Sequence, residues 1–198
     1  MDLRETYNRI AEDWFRDHEK DEWWKLGVKE FVNLLDYEQT VLDLGCGPGL
    51  MARAFEDRGI KVVGIDFSSE MIRIARRENP QSEFHCMDIR EVSRLERQFN
   101  GILAKASLLH LSKRETQSVI RASYGLLLPG GCAYFAVKAR HAGGPAEEVR
   151  RENDYGYPYE RYFSYYTIDE FRGYIQRAGY RITSTIAQAD WIQIVAKR

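Results

Sequence analysis

The chain has 198 residues, 44% hydrophobic and 13% aromatic, which is enough apolar material for the core of one domain. Its 29 Lys and Arg against 30 Asp and Glu leave a net charge of -1, arguing against a broad surface for tracking nucleic-acid phosphates. Apolar stretches such as 133–137 fall far short of the roughly 20 residues that cross a bilayer, so no membrane association is expected.

The start, Met1–Thr6, is polar, with no secretory pattern and no Gly at position 2; a cytoplasmic chain without signal peptide or myristoyl anchor is expected. Leu3–Phe15 and Trp23–Leu35 carry helical periodicity. From residue 41 short apolar runs alternate with amphipathic stretches, the pattern of βαβ units and a parallel sheet covered on both faces. Strands are predicted near Thr40–Leu44, Lys61–Asp66, Glu83–Met87, Gly101–Lys105 and Gly131–Lys138, with helices near Gly49–Arg58, Ser69–Glu78, Lys113–Leu127 and Ile168–Ala178. Ser112 with Glu115, and Thr167 with Glu170, have capping-box spacing. Pro129-Gly130-Gly131 reads as the stop of a helix ending at Leu128, and Gly179 as a C-terminal cap. Arg181–Ile186 and Trp191–Ala196, joined by the short turn 188–190, imply an antiparallel pair at one edge of a mixed sheet.

Ala139–Ser164 fits no regular element and reads as a functional loop or lid. Within Tyr155–Tyr166 stand seven aromatics, but Gly156 and Pro158 argue against a strand and for a lid with aromatic walls. Cys46, Cys86 and Cys132 lie in apolar stretches without Cys-x-x-Cys spacing, so three buried reduced thiols are expected. His18, His85, His110 and His141 are scattered, and no metal site is expected.

VLDLGCGPG at 41–49 is an apolar strand running into Gly-x-Gly-x-Gly and then a helix, where glycines admit a ligand to the main chain. A dinucleotide loop would place its third glycine at position 50, which is Leu. Asp66, 21 residues after Gly45, ends the next strand where a carboxylate can accept from ribose hydroxyls.

These residues, with GIDFSSEMI at 64–72, CMDIRE at 86–91 and LLLPGG at 126–131, resemble the class I S-adenosylmethionine-dependent methyltransferases over about residues 40–138. The resemblance implies a Rossmann-like, doubly wound, mostly parallel seven-stranded sheet with the antiparallel C-terminal edge pair. It implies S-adenosylmethionine as cofactor, with S-adenosylhomocysteine as product. Gly45 and Gly47 would lie on its methionine part, Asp66 on the ribose, and Asp88, Ile89 and Phe67 around the adenine. Tyr7 and Trp14 resemble the family's N-terminal aromatic helix over the cofactor, and Asp43, Cys46, Met71 and Lys105 complete the expected set. One domain over 1–198 is expected, with 1–38 covering the cofactor and 139–166 as a lid.

Methyl transfer from a sulfonium rests largely on positioning, so it leaves few catalytic marks in a sequence. His110, after the strand 101–105, is the candidate base for a hydroxyl or protonated amine. Lys138 and Arg161, with Arg140 and His141 nearby and Tyr162 and Tyr165 as walls, are candidates for holding an anionic acceptor. The expected function is methyl transfer to O or N of a small molecule by a monomer or homodimer. The competing readings are a transfer-RNA wobble-base methyltransferase, a nicotinamide-dependent oxidoreductase and a non-catalytic cofactor-binding protein.

Overall fold

The structure, a computed structural model, describes residues 2–21, 24–188 and 190–198. β1 (Thr40–Leu44), β2 (Lys61–Asp66), β3 (Glu83–Cys86), β4 (Phe99–Lys105) and β5 (Leu127–Lys138) are joined by β8 (Arg181–Gln188) and β9 (Trp191–Lys197) in one sheet. The seven strands run in the order β3-β2-β1-β4-β5-β9-β8. The first five pair in parallel, while β9 runs antiparallel to both β5 and β8, so the mixed edge expected from the sequence is present.

Alternate residues of the central strands feed two separate cores, as the two-residue strand period requires. Leu42, Leu44, Ile102, Ala104 and Phe135 pack on one face, against Val119 and Ile120 of α5 (Lys113–Leu126) and Phe171 of α6 (Ile168–Arg177). Val41, Leu103, Tyr134 and Ala136 pack on the other, against Phe31 of α2 (Lys25–Val32) and Phe55 of α3 (Ala52–Glu56). Buried tyrosine hydroxyls each meet a partner: Tyr166 with Thr116 at 2.9 Å, Tyr180 with Ser123 at 2.9 Å, and Tyr134 with Gln193 at 2.8 Å. α1 (Leu3–His18) lies on α4 (Ser69–Glu78), with Ala11 against Met71 and Ile74.

Several expectations are corrected. The segment 139–164 is not irregular: β6 (Glu147–Glu152) and β7 (Tyr159–Ser164) form an antiparallel hairpin. Gly156 and Pro158 fall in the connection, so they bound the strand rather than break it. The helix before Pro129 ends at Leu126, and Pro129–Gly131 form part of β5, within a bulge between the Phe99–Leu127 and Gly101–Cys132 pairings. Residues 49–51 stay in the glycine turn, so α3 is shorter than the predicted helix. Ser112 and Glu115 form the full capping box, but Thr167 makes only half of one, because Glu170 turns to Lys113 and Tyr174. Cys46 and Cys132 are buried free thiols, whereas Cys86, at the end of the edge strand β3, is exposed. Trp23 and Ala189, in the predicted second helix and the final turn, lie outside the described residues.

Candidate cofactor and acceptor site

Sequence order along the sheet reverses between β1 and β4, which opens a crevice at their C-terminal ends. A cleft of about 760 Å³ lies there, a volume suited to a small-molecule ligand. Its walls come from the glycine loop, the ends of β2, β4 and β5, the N-terminal helix α1 and the hairpin.

The loop geometry explains the glycines. Gly45 has φ +71° and a Cβ there would lie 2.3 Å from that of Ser107; Gly47 has φ +53°, with open space where its Cβ would be. Ser107, whose hydroxyl donates to the Leu44 carbonyl at 2.5 Å, thereby fixes the start of the loop. The Gly47 amide donates to Asp66 at 3.0 Å, and the Ser68 amide donates to the other carboxylate oxygen at 2.8 Å. Burial raises Asp66 to about 6 against the pull of those two amides. Each carboxylate oxygen keeps a second lone pair for a ligand hydroxyl.

Asp43 and Lys105 sit at the same end, both lining the cleft. Burial raises Asp43 to about 7 and lowers Lys105 to about 8, with their mutual attraction opposing both shifts. The Lys105 ammonium also lies 5.4 Å from the centre of the Trp24 ring. Cys46, Phe67, Met71, Asp88 and Ile89 line the cleft with them. Asp88 caps the 3-10 turn Ile89–Arg94 and holds Arg90 at 2.6 Å; burial raises its carboxyl, but Arg90 outweighs that and holds it below the usual range. Trp14 lines the cleft and stacks on His18 at 4.1 Å.

At the opposite end Tyr7, His110, Lys138, Arg161, Tyr162 and Phe163 line the cleft. The Tyr162 carbonyl lies 2.8 Å from His110 Nδ1; a carbonyl only accepts, so Nδ1 carries the hydrogen. Nε2 then accepts from the Tyr7 hydroxyl at 2.6 Å. Burial, aided by Arg161 and opposed by the Tyr162 carbonyl, pushes His110 down to about 3. The expected base is thus at the cleft, but with both nitrogens engaged, and in this arrangement it positions Tyr7.

Arg161 does not offer its fork to a ligand as the sequence reading expected. Its Nε and one terminal nitrogen donate to Glu152 at 2.6 Å each across the hairpin, in a mostly buried pair. Tyr165 turns off the cleft to donate to Glu148 at 2.8 Å. Arg140 donates to the Gly144 carbonyl, His141 faces Asp190, and neither lines the cleft. Of the seven tyrosine-segment aromatics only Tyr162 and Phe163 are walls; Tyr155 stacks on Tyr159, Tyr157 bonds Asp13, and Tyr166 is core. Arg150, Trp191, Ser107 and the Arg161 partner Glu152 escaped the sequence reading. The alternation of Arg150 with Glu152 opposite Arg161 carries the signal once the hairpin is recognised.

Residues 41–131 match the family described as a methyltransferase domain. A ubiquinone biosynthesis O-methyltransferase of Chromobacterium violaceum is 29% identical over 109 residues, covering 52% of this chain and 46% of that protein. A protein of the same name from Coxiella burnetii is 26% identical over 144 residues, covering 68% of this chain and 61% of its own length. The chain therefore spans about half the length of these curated relatives. Among solved structures, an S-adenosylmethionine-dependent methyltransferase from Clostridium acetobutylicum superimposes with TM-score 0.76 at 15% identity, over 96% of this chain and 98% of that one. The Burkholderia thailandensis 1,6-didemethyltoxoflavin-N1-methyltransferase, bound to 1,6-didemethyltoxoflavin and S-adenosylhomocysteine, superimposes with TM-score 0.74 at 20% identity, over 99% and 87%. Residues 41–131 thus resemble the methyltransferase-domain family, and the chain shares the fold of the solved S-adenosylmethionine-dependent methyltransferases.

Proposed function

We propose that the chain transfers a methyl group from S-adenosylmethionine to an oxygen or nitrogen of a small molecule. The observation that carries this reading is Asp66 at the switch point, held by the Gly47 and Ser68 amides and lining the cleft. The residues fit the cofactor. Open space at Gly47 admits a ligand chain to the backbone, and Asp43 beside Lys105 offers opposite charges to an amino acid's ammonium and carboxylate. Asp66 suits ribose hydroxyls, while Asp88, Ile89, Phe67 and Met71 form a partly apolar slot for a base. The cofactor, when bound, supplies a methyl group already activated on sulfur. The chain's own part is to orient the acceptor and keep water out.

We read the chain as one methyltransferase domain in which residues 1–38 cover the cofactor and 139–166 form a lid. The hydrogen bonds from Thr6 to the Glu160 carbonyl at 3.1 Å and from Tyr157 to Asp13 at 3.0 Å support that reading, since they join α1 to the hairpin across the cleft. Among the described residues, no helix is long and apolar enough to cross a membrane, and no cluster of three His, Cys, Asp or Glu side chains could hold a metal. The test is incubation with methyl-labelled S-adenosylmethionine and a cell extract. Label in small metabolites is the expected result; label in RNA alone would support the wobble-base reading, and no label a non-catalytic binder.

A further inference from the structure

Charges are spread unevenly along the cleft. Around the glycine loop the carboxylates Asp43, Asp66 and Asp88 share the lining with Lys105, Arg4 and Arg90, whereas β5 and the hairpin contribute Lys138, Arg150 and Arg161 and no acid. The acids nearest these last three cations, Glu148, Glu152 and Asp190, do not line the cleft. Resting on the methyltransferase reading, we propose that Lys138 and Arg150 form an anion subsite for an acceptor that arrives as an oxyanion, a carboxylate or a phosphate or phosphonate, and is methylated on that oxygen.

Three observations carry this. First, Arg150 and Arg161 stand directly opposite each other in the hairpin register, with their guanidinium carbons 5.8 and 5.1 Å from the centre of the same Phe163 ring. Like charges directly opposite destabilise a strand pair. Glu152 neutralises Arg161, whereas Arg150 is exposed and meets the Tyr165 hydroxyl rather than a carboxylate, so an anion at the cleft would relieve what remains. Second, the Lys138 ammonium lies 4.7 Å from the centre of the Trp191 ring, also a cleft wall, and burial, opposed by attraction to Asp190 and aided by repulsion from Arg150 and Arg161, lowers its affinity for a proton. Trp191, Tyr162 and Phe163 give this end aromatic walls. Third, the imidazole at this end is engaged at both nitrogens, by Tyr162 and by Tyr7.

An oxyanion acceptor fits all three, because it has no proton to surrender. Its oxygen lone pair forms the new O–C bond as the C–S bond breaks. The bonding pair passes to sulfur, the sulfonium becomes a neutral thioether, and no proton moves. Arg161, locked on Glu152, positions the wall rather than gripping the acceptor.

Calorimetry on the full chain saturated with S-adenosylhomocysteine tests this, with benzoate and phenylphosphonate as anionic probes and benzyl alcohol and benzamide as neutral ones. At least one anion is expected to bind ten-fold or more tightly than the neutral probes, and which one does separates carboxylate from phosphonate chemistry. Lys138→Gln and Arg150→Gln should each weaken that anion about five-fold while leaving S-adenosylhomocysteine affinity unchanged, and Arg140→Gln should change neither. Equal affinity for neutral probes, no anion binding, or anion affinity indifferent to both cleft substitutions overturns the subsite alone. Failure of the wild-type chain to bind S-adenosylhomocysteine overturns the methyltransferase reading, and the subsite with it.

Discussion

At the cofactor end of the cleft, backbone amides of Gly47 and Ser68 hold Asp66, and the glycine loop that carries Gly47 is anchored to β2 by two hydrogen bonds to the Ile65 carbonyl. At the acceptor end, side chains predominate: Tyr7 meets His110 across 103 residues of sequence, and Thr6 reaches Glu160 across 154. The first end is built into the sheet and opens only when the sheet does. The second joins two elements laid over the sheet and can part while the core stays closed. On the proposed reading, the first end is the rigid part that recognises the cofactor and the second a separable cover.

The largest effect is expected where the cover is most dependent on a single pair. Glu152→Ala leaves the Arg161 guanidinium mostly buried without its carboxylate, at a cost of about 3 kcal/mol. Amide exchange should accelerate across Tyr159–Ser164 and stay slow in β1 and β2; uniform acceleration would erase the distinction between the two ends.

A pH series separates them next. Burial raises Asp66 to about 6 and Asp43 to about 7, so between about pH 4 and 7 the folded chain holds protons that the unfolded chain has released. These two groups make the apo fold less stable as pH rises through that window, with no further change above it. S-adenosylhomocysteine needs the ionised carboxylates, so the rise in Tm that it produces should grow from pH 5.5 to 7.5. A Tm rise independent of pH would contradict the assignment of Asp66 and Asp43 to the ligand.

His110→Ala should lower turnover on the order of ten-fold by loosening Tyr7, with S-adenosylhomocysteine affinity nearly unchanged. Tyr7→Phe should reproduce much of that loss. Equal losses in affinity and turnover would instead place the pair at the cofactor.

The smallest contrast lies in the helix caps. Ser112→Ala should cost about 1 kcal/mol and Thr167→Ala less, because only Ser112 has the reciprocal bond from its own backbone to Glu115. Chemical denaturation of the two variants measures it.

The same division governs what could be read from the residues alone. β1, β2 and the loop at Gly45–Gly49 were legible because an apolar run, glycines and a strand-end Asp66 are local signals. The hairpin was not, since Gly156 and Pro158 look like interruptions until the register places them in the connection and lets Tyr159 open the second strand. Lys138 and Arg161 both line the cleft, but the closure of Arg161 by Glu152 depends on strand pairing and has no local mark in the sequence. Likewise, nothing near His110 in the chain reveals that Tyr7 and the Tyr162 carbonyl engage both of its nitrogens.

The most direct measurement is a calorimetric titration of the wild-type chain and Asp66→Ala with S-adenosylhomocysteine and with NAD. Saturable binding of S-adenosylhomocysteine, no comparable binding of NAD, and a loss of about 1–3 kcal/mol in the variant, roughly ten- to hundred-fold, are expected. Tight NAD binding, or S-adenosylhomocysteine affinity unchanged by the loss of the Asp66 carboxylate, would contradict the account.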